Sequence, residues 1–120
     1  MNEKPNVVRD KAYQFALEII HLYRSLCTEN EFVLSRQLVK AGTSIGANIE
    51  EATAAQSKKD FLSKMSIASK EARETLYWLR LLRDSGICNP QEANSLISDT
   101  EELIRLLTSI VKTTASSIKN

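Results

Sequence analysis

Glycine and proline are scarce in this sequence, with three Gly and two Pro among 120 residues. Both residue types interrupt regular structure, so their scarcity predicts long uninterrupted helices. The apolar runs, such as Phe32 to Leu34, are far shorter than the roughly 18 residues that indicate a membrane span. The first ten residues contain no apolar stretch typical of a secretory signal. We therefore expect a cytoplasmic protein without a membrane-spanning segment.

Cysteine and histidine are also rare, with two Cys and one His in the chain. Cys27 and Cys88 have neither metal-ligand spacing nor the density of a disulfide framework. Antiparallel helices would bring them to the same end, where a disulfide is conceivable, but we expect reduced thiols. His21 has no second histidine, HExxH motif or glycine-rich phosphate loop to accompany it. We interpret it as a solvated residue near Glu18 and predict no catalytic site, metal or cofactor.

The charges are nearly balanced, because 16 Lys and Arg residues stand against 15 Asp and Glu residues, for a net charge of +1. Such a chain has no global attraction for nucleic acid or anionic lipid, so binding of either requires a local patch or assembly. The length of 120 residues suits one domain with one hydrophobic core. We treat residues 1–120 as that domain.

Apolar residues recur at alternating spacings of four and three, which predicts four amphipathic helices at about residues 6–27, 31–55, 58–85 and 90–118. The apolar stripes are Val8, Ala12, Phe15, Ile19, Leu22 and Leu26; Leu34, Leu38, Ala41, Ile45 and Ala52; Phe61, Met65, Ala68, Ala72, Thr75, Leu79 and Leu82; and Leu96, Leu103 and Ile110 beside Ile97, Ile104, Val111 and Ile118. Long helices joined by short loops favour an all-α, antiparallel up-down-up-down four-helix bundle.

Capping residues mark the expected helix ends. Residues 28–31 offer Thr and Asn side chains that could cap the second helix. Ser57 begins a capping-box pattern for the third helix, and Gly86 suits the left-handed residue that ends it. Asn89, followed by proline, indicates the start of the fourth helix. The polar composition of residues 113–120 predicts fraying.

The second helix contains small and polar residues inside its helical pattern. Gly42 and Gly46 each cost about 0.8–1 kcal/mol relative to Ala in a helix interior. They either allow another backbone to approach closely, within the bundle or between subunits, or mark a local kink. Asn48 lies on the apolar stripe, where an unpartnered buried amide would cost roughly 1–3 kcal/mol. We expect it to hydrogen-bond locally, to Ser44 or Glu51.

The third helix carries the main cationic surface. Seven residues on it are candidate nucleic-acid ligands: Lys58, Lys59, Lys64, Lys70, Arg73, Tyr77 and Arg80. Cations interleaved with an aromatic ring can hold phosphates and stack a base. The alternative is a solvated face whose cations pair with nearby carboxylates: Glu71, Glu74 and Asp84. We interpret Trp78 as a packing residue at the core edge or at a subunit boundary.

The second and third helices also carry a recognisable pattern. The second contains Ser-Ile-x-x-Asn-Ile-x-Glu, at Ser44, Ile45, Asn48, Ile49 and Glu51. Phe61-Leu62, the segment Ala68 to Thr75 and the segment Tyr77 to Leu79 follow. Over residues 8–111 the sequence resembles the four-helix-bundle proteins encoded in intervening sequences of bacterial 23S ribosomal RNA genes. That family includes the accessory variability determinant of diversity-generating retroelements.

This resemblance implies a bundle that assembles into a ring-like homopentamer and has no catalytic activity. For the retroelement branch it also implies binding to nucleic acid and to a reverse transcriptase. Two features depart from the family pattern. Ala52 stands where Gly is common, and the retroelement branch is strongly basic whereas this chain is nearly neutral.

Two functional hypotheses follow. The first is a non-catalytic oligomeric binding module associated with RNA, DNA or a ribonucleoprotein. The alternative is a protein-binding scaffold or adaptor without nucleic-acid contact. A continuous basic patch would favour the first, and a neutral surface with an apolar groove would favour the second. An enzyme would need carboxylates such as Glu51, Glu71 and Glu74 around a metal, and the sequence offers them no histidine partners.

Overall fold

The structure, a computed structural model, describes residues 4–119. It contains four α-helices: α1 (Lys4–Thr28), α2 (Val33–Thr53), α3 (Lys58–Asp84) and α4 (Pro90–Lys119). Residues 4–119 include no β-strand. The all-α prediction is therefore confirmed.

The four helices form a ring in which each packs against two neighbours. α2 and α3 share the most extensive contact, and α1 and α4 close the ring with the least extensive one. Gly42 lies beside Ile19 and Gly46 beside Ala12, so α2 runs antiparallel to α1. Hydrogen bonds from Arg73 to Thr108 and from Arg83 to Asn94 show the same relation between α3 and α4. The predicted up-down-up-down bundle is the result, a rod of 51 × 20 × 20 Å.

The core is built mainly from the predicted apolar stripes, but the α4 stripe was partly wrong. Ile104, Val111 and Ile118 are only half-buried, whereas Ala93, Thr100 and Leu107, which the prediction left out, are buried. These three continue the spacing of three and four through the buried Leu96, Leu103 and Ile110, so the core face of α4 is centred on that row. All six stripe residues of α1 are buried, and in α3 only Phe61 of the stripe is half-buried rather than buried.

Buried hydroxyl groups occur at Ser35, Thr75 and Thr100. Each donates to the backbone carbonyl four residues earlier, at distances of 2.6 to 2.7 Å. Within the described residues, no buried side-chain nitrogen or oxygen lacks a hydrogen-bond partner.

Three helix ends use the predicted capping chemistry. Ser57 Oγ accepts a hydrogen bond from the Asp60 amide at 3.1 Å. Asn89 Oδ1 accepts from two amides in the first turn of α4, at 2.8 and 3.3 Å. Gly86 has a φ of 79°, and its amide donates to the Arg83 carbonyl at 3.1 Å. A left-handed residue therefore ends α3, as expected.

The loop between α1 and α2 differs from the prediction. Thr28 does not cap α2, because its hydroxyl donates to the Ser25 carbonyl at 2.6 Å. Asn30 adopts a φ of 64°, and the amides of Asn30 and Glu31 donate back to α1 carbonyls at 3.0 Å, as in a Schellman motif. Glu31 supplies the α2 cap, since its carboxylate accepts from the Ser35 amide at 2.9 Å.

The ends of α2 and α4 also shift. α2 spans Val33–Thr53, inside the predicted 31–55. It begins later than predicted because Glu31 precedes the helix and caps it with its side chain. α4 continues to Lys119, so residues 113–119, which were expected to fray, are helical in the structure. Asn120 lies outside the described residues.

Gly42 and Gly46 both face α1. A Cβ atom on Gly42 would lie 2.9 Å from Ile19 Cγ2, and one on Gly46 would lie 3.7 Å from the Ala12 carbonyl oxygen. α2 is continuous through both positions. Of the alternatives left open by the sequence, the structure selects close approach inside the bundle at Gly42, whereas the space at Gly46 would hold a methyl group at an ordinary contact distance.

Candidate nucleic-acid interface

The seven predicted ligands divide between two sides of α3. Six are exposed, whereas Lys64 is half-buried. Lys64 faces α2, where its Nζ lies 2.9 Å from Glu51 Oε1. The hydrogen bond from Lys64 to that carboxylate raises the pKa of Lys64. Arg73 and Lys58 instead reach side chains of α4.

Arg73 connects the cationic face of α3 to α4. Its Nη2 donates to Thr108 Oγ1 at 3.3 Å. Thr108 lines a surface depression of about 500 Å³ together with Arg105, Ser109 and Lys112. No carboxylate belongs to that lining within the described part of the chain. We call Arg73, Arg105, Thr108 and Lys112 the α3/α4 cation cluster.

Lys58 extends this surface towards the end of the bundle. Its Nζ donates to Ser117 Oγ of α4 at 2.6 Å. Both residues line a second depression of about 490 Å³, beside Phe61 and Thr114. Cationic groups therefore occur along this side of the bundle from Arg73, near the middle of α3, to Lys58 at its start.

Two of the three carboxylates considered as partners of the α3 cations, Glu74 and Asp84, have other partners. Glu74 Oε2 accepts a hydrogen bond from Trp78 Nε1 at 3.1 Å. Asp84 Oδ1 pairs with Arg83 Nε at 2.8 Å, and this hydrogen bond lowers the pKa of Asp84. Among residues 4–119, ion pairs do not engage Lys70, Arg73 or Arg80.

Tyr77 and Trp78 form an aromatic pair beside the cations. Their ring centroids are 5.2 Å apart, with an interplanar angle of 66°. Trp78 is half-buried and packs against the core, which confirms its interpretation as a core-edge residue. Tyr77 is 53% exposed, so much of its ring remains available to a ligand.

Arg105 and Lys112 were missed as site residues. They lie seven residues apart on α4, a spacing that places both on one side of a helix. That spacing is readable in the sequence. Their placement around Thr108, which Arg73 contacts, is not, because it depends on the register between α3 and α4.

A sequence profile described as 23S rRNA-intervening sequence protein matches residues 4–109. The chain belongs to this family. The match includes α1, α2, α3 and most of α4, and it contains the whole α2 motif. No functionally curated protein matches the chain.

A solved structure shares both sequence and fold with this family member. It is the crystal structure, at 1.70 Å resolution, of a protein with unknown function from the S23 ribosomal protein family of Bacteroides thetaiotaomicron VPI-5482. The two chains are 48% identical with a TM-score of 0.88, and the match covers 91% of this chain and 98% of that one. The four-helix arrangement is thus also found in an experimentally solved relative.

The α2 motif contributes to packing. Ile45 and Ile49 are buried. Asn48 is half-buried, and its Nδ2 donates to the Ser44 backbone carbonyl at 2.8 Å, so its partner is the expected residue one turn back. Glu51 makes the ion pair with α3 described above. These contacts hold α2 against α3 and the core.

The remaining candidate groups do not form a reactive centre. Cys27 and Cys88 are free thiols, and burial raises the pKa of Cys88 to about 11. His21 is exposed. Across residues 4–119, no three His, Cys, Asp or Glu side chains are placed to hold a metal ion. The helices in that range also lack the combination of length and hydropathy needed to cross a membrane.

Proposed function

We propose that this protein is a non-catalytic, oligomeric, cytoplasmic module that binds the phosphate backbone of RNA through the outer α3/α4 face. The observation that carries the proposal is the α3/α4 cation cluster, in which Arg73 reaches Thr108 beside Arg105 and Lys112. Because two packed helices supply the cations, the fold sets the backbone positions of the cluster before a ligand arrives.

The chemistry of the cluster suits phosphate. The planar guanidinium groups of Arg73 and Arg105 match the geometry of phosphate oxygens, and the Thr108 hydroxyl adds a further hydrogen-bond donor. Tyr77 offers a ring on which an unpaired base can stack, a contact worth roughly 1–3 kcal/mol per base. An RNA with single-stranded loops would use both features, whereas a regular duplex would use the cations alone.

Assembly would multiply this local attraction, because the net charge of one chain is only +1. Tyr13, Leu17 and Ile20 follow one another at spacings of four and three on α1 and are 61%, 47% and 38% exposed. We call these three exposed residues the α1 apolar stripe; they are distinct from the six buried residues through which α1 faces the core. A second copy that covers this stripe would remove apolar surface from water and bring several cation clusters into one particle.

Two of the carboxylates considered for a metal site have other roles. Glu51 pairs with Lys64, and Glu74 accepts the hydrogen bond from Trp78. Both acids therefore act as structural partners of α3 side chains. This use supports a binding module rather than an enzyme.

The decisive experiment is a salt titration with a labelled, structured RNA that contains loops. We expect the affinity of the wild-type protein to fall steeply with salt, and Arg73→Ala with Arg105→Ala to reduce the slope of log affinity against log salt by about one to two units. The mass of the particle is measured on the same samples, so that a loss of assembly is not mistaken for a loss of phosphate contact.

The matched control replaces two exposed cations away from the cluster, Arg24→Gln and Lys40→Gln. It changes the net charge by the same amount and should keep the wild-type slope. No RNA binding at low salt by an assembled wild-type protein would refute the proposal. Equal losses in the cluster variant and the control would show that net charge, not the cluster, sets the affinity.

The second candidate is a protein scaffold without nucleic-acid contact. The α1 apolar stripe favours it, because an exposed apolar surface is also suited to a different protein chain. A protein that shows no RNA affinity, and that remains monomeric with its stripe exposed, would support this alternative.

A further inference from the structure

A groove runs along the outer seam between α1 and α4, on the pair of helices with the least extensive contact. It consists of two adjoining cavities of about 330 and 350 Å³. Gln14 and Glu18 line both, so the two cavities meet at these residues. The lining extends from Asp10 to His21 on α1, a helical rise of roughly 16 Å. We call this feature the α1/α4 groove.

The floor of the groove is apolar. Phe15 and Leu103 lie under the first cavity, and Leu96 lies under the second. All three are part of the buried core, whereas Leu17, at the edge of the second cavity, is 47% exposed. An apolar side chain from another molecule would therefore meet core residues at the floor of the groove, while Leu17 at its edge belongs to the α1 apolar stripe that assembly would cover.

The rims of the groove are acidic. Five carboxylates line the two cavities: Asp10, Glu18, Glu92, Asp99 and Glu102. Lys11 is the one lysine or arginine among the lining residues, and it already pairs with Glu102 at 3.3 Å. Partial burial, with the nearby negative charge of Glu102, raises the pKa of Asp99, so this carboxylate gains from a cation placed beside it.

We propose that the α1/α4 groove binds a cationic amphipathic helix of a partner protein. Apolar residues spaced by three and four would contact the floor, and lysine or arginine residues flanking them would pair with the acidic rims. The length of the groove corresponds to about three helical turns, which is the scale of helix-in-groove recognition. The groove and the cation cluster use different sides of α4, so peptide binding in the groove is independent of the proposed RNA binding.

The probe is a fluorescein-labelled synthetic helix of about 12 leucine and lysine residues in an amphipathic pattern. The control peptide has the same leucine residues, with glutamate in place of each lysine. Fluorescence anisotropy is measured with the assembled wild-type protein, with Glu18→Gln plus Asp99→Asn, and with Glu29→Gln plus Glu50→Gln. The last pair removes two exposed carboxylates that do not line the groove. A fourth variant, Gln14→Trp, fills the point shared by both cavities.

The lysine peptide should bind and the glutamate peptide should not. The groove double variant should weaken binding about tenfold, since each rim ion pair contributes modestly, while the control pair changes it less than about twofold. Gln14→Trp should also weaken binding, and circular dichroism should show that every variant keeps its helix content. Arg73→Ala with Arg105→Ala should leave peptide affinity unchanged while it lowers RNA affinity.

Three results would overturn the proposal. The first is no peptide binding at low salt. The second is an equal loss in the groove and control variants, which would indicate general electrostatic attraction. The third is unchanged binding to Gln14→Trp, which would place the peptide elsewhere. None of these results bears on the RNA proposal, because that proposal is tested on a different face with a different ligand.

Discussion

Gly42 and Gly46 lie one turn apart on α2, yet a methyl group would meet different surroundings at each. At Gly42 it would approach Ile19 Cγ2 to 2.9 Å, and β-branched side chains have little freedom to move aside. At Gly46 the nearest atom would be 3.7 Å away, an ordinary contact. The same substitution therefore has opposite expected effects.

We expect Gly42→Ala to lower the free energy of unfolding by about 1 kcal/mol, because overpacking outweighs the gain in helix propensity. Gly46→Ala should raise it by roughly 0.5–1 kcal/mol, since the helix gains a methyl group without a clash. Urea unfolding at one fixed protein concentration measures both. A stabilising Gly42→Ala would show that α1 can move away from α2 at little cost.

The ionisation of Cys88 predicts that the free energy of unfolding depends on pH. Its pKa rises from 9.0 to about 11 because burial disfavours the thiolate, with Glu92 adding to the effect. Between these values the unfolded chain loses the thiol proton while the folded chain keeps it, so ionisation favours unfolding. The contribution of this thiol is present below pH 9 and is lost as the pH rises towards 11.

We therefore expect the urea midpoint of the wild-type protein to fall more between pH 8 and about 10.5 than that of Cys88→Ala. Thiol labelling near neutral pH provides a second readout. The half-buried Cys27 should react in the folded protein, and the buried Cys88 only after denaturation. Equal labelling of both thiols in the native protein would contradict the structure around Cys88.

At the scale of single helices, capping decides where α4 begins. Asn89 Oδ1 accepts from the amides of Gln91 and Glu92, which have no partner within the helix. Asn89→Ala should lower the free energy of unfolding by about 1 kcal/mol. The neighbouring Gln91→Ala is the control and should stay within roughly 0.5 kcal/mol of wild type. Equal effects would mean that the cap contributes little.

Helix ends also show what local sequence can and cannot predict. Ser57, Gly86 and Asn89 were predicted correctly because a cap depends on residues next to it in the chain. The α2 cap was missed because Thr28 and Asn30 are more usual capping residues and precede Glu31 in the loop. In the structure the Glu31 side chain accepts from the Ser35 amide instead. The apolar stripes predicted the core for the same reason as the caps, since periodicity along one helix determines which face is buried.

The candidate site was less predictable because it depends on two helices. Arg73 was identified from the charge pattern of α3 alone. Arg105 and Lys112 become part of the same surface only when α4 packs in the register that brings Thr108 to Arg73. Lys64, which the α3 sequence grouped with Arg73, faces α2 because its rotation about the helix axis differs.

Across the whole molecule, α4 separates charge between its two seams. Glu92, Asp99 and Glu102 line the groove against α1, whereas Arg105 and Lys112 line a depression on α4 that includes Thr108, the hydrogen-bond partner of Arg73 on α3. The acids occupy the first half of α4 and the cations the second half, which also suits the helix dipole. A nearly neutral chain thereby presents two strongly charged surfaces.

Assembly is the prediction that belongs to the whole molecule. We expect the wild-type particle to have several times the chain mass of 13.5 kDa, with five copies as the number implied by the family resemblance. Tyr13→Glu with Ile20→Glu should dissociate it, because charges would have to be buried in the interface. Val33→Glu, at a residue that is 71% exposed but away from the α1 apolar stripe, should not. Light scattering across a dilution series measures the mass, and an unchanged oligomer in the stripe variant would place the interface elsewhere.

The ring of helices also has a kinetic consequence. Within residues 4–119, three of the four packed pairs join helices that are consecutive in the chain, and only α1 with α4 joins its two ends. The first three pairs can form after closing short loops, which favours folding in microseconds to milliseconds. The seam between α1 and α4 requires the largest loss of chain entropy for the smallest contact. This contact should be the last to form during folding. It should also open first in the native protein, so the backbone amides of α1 and α4 that face this seam should exchange their hydrogens before those of the other contacts.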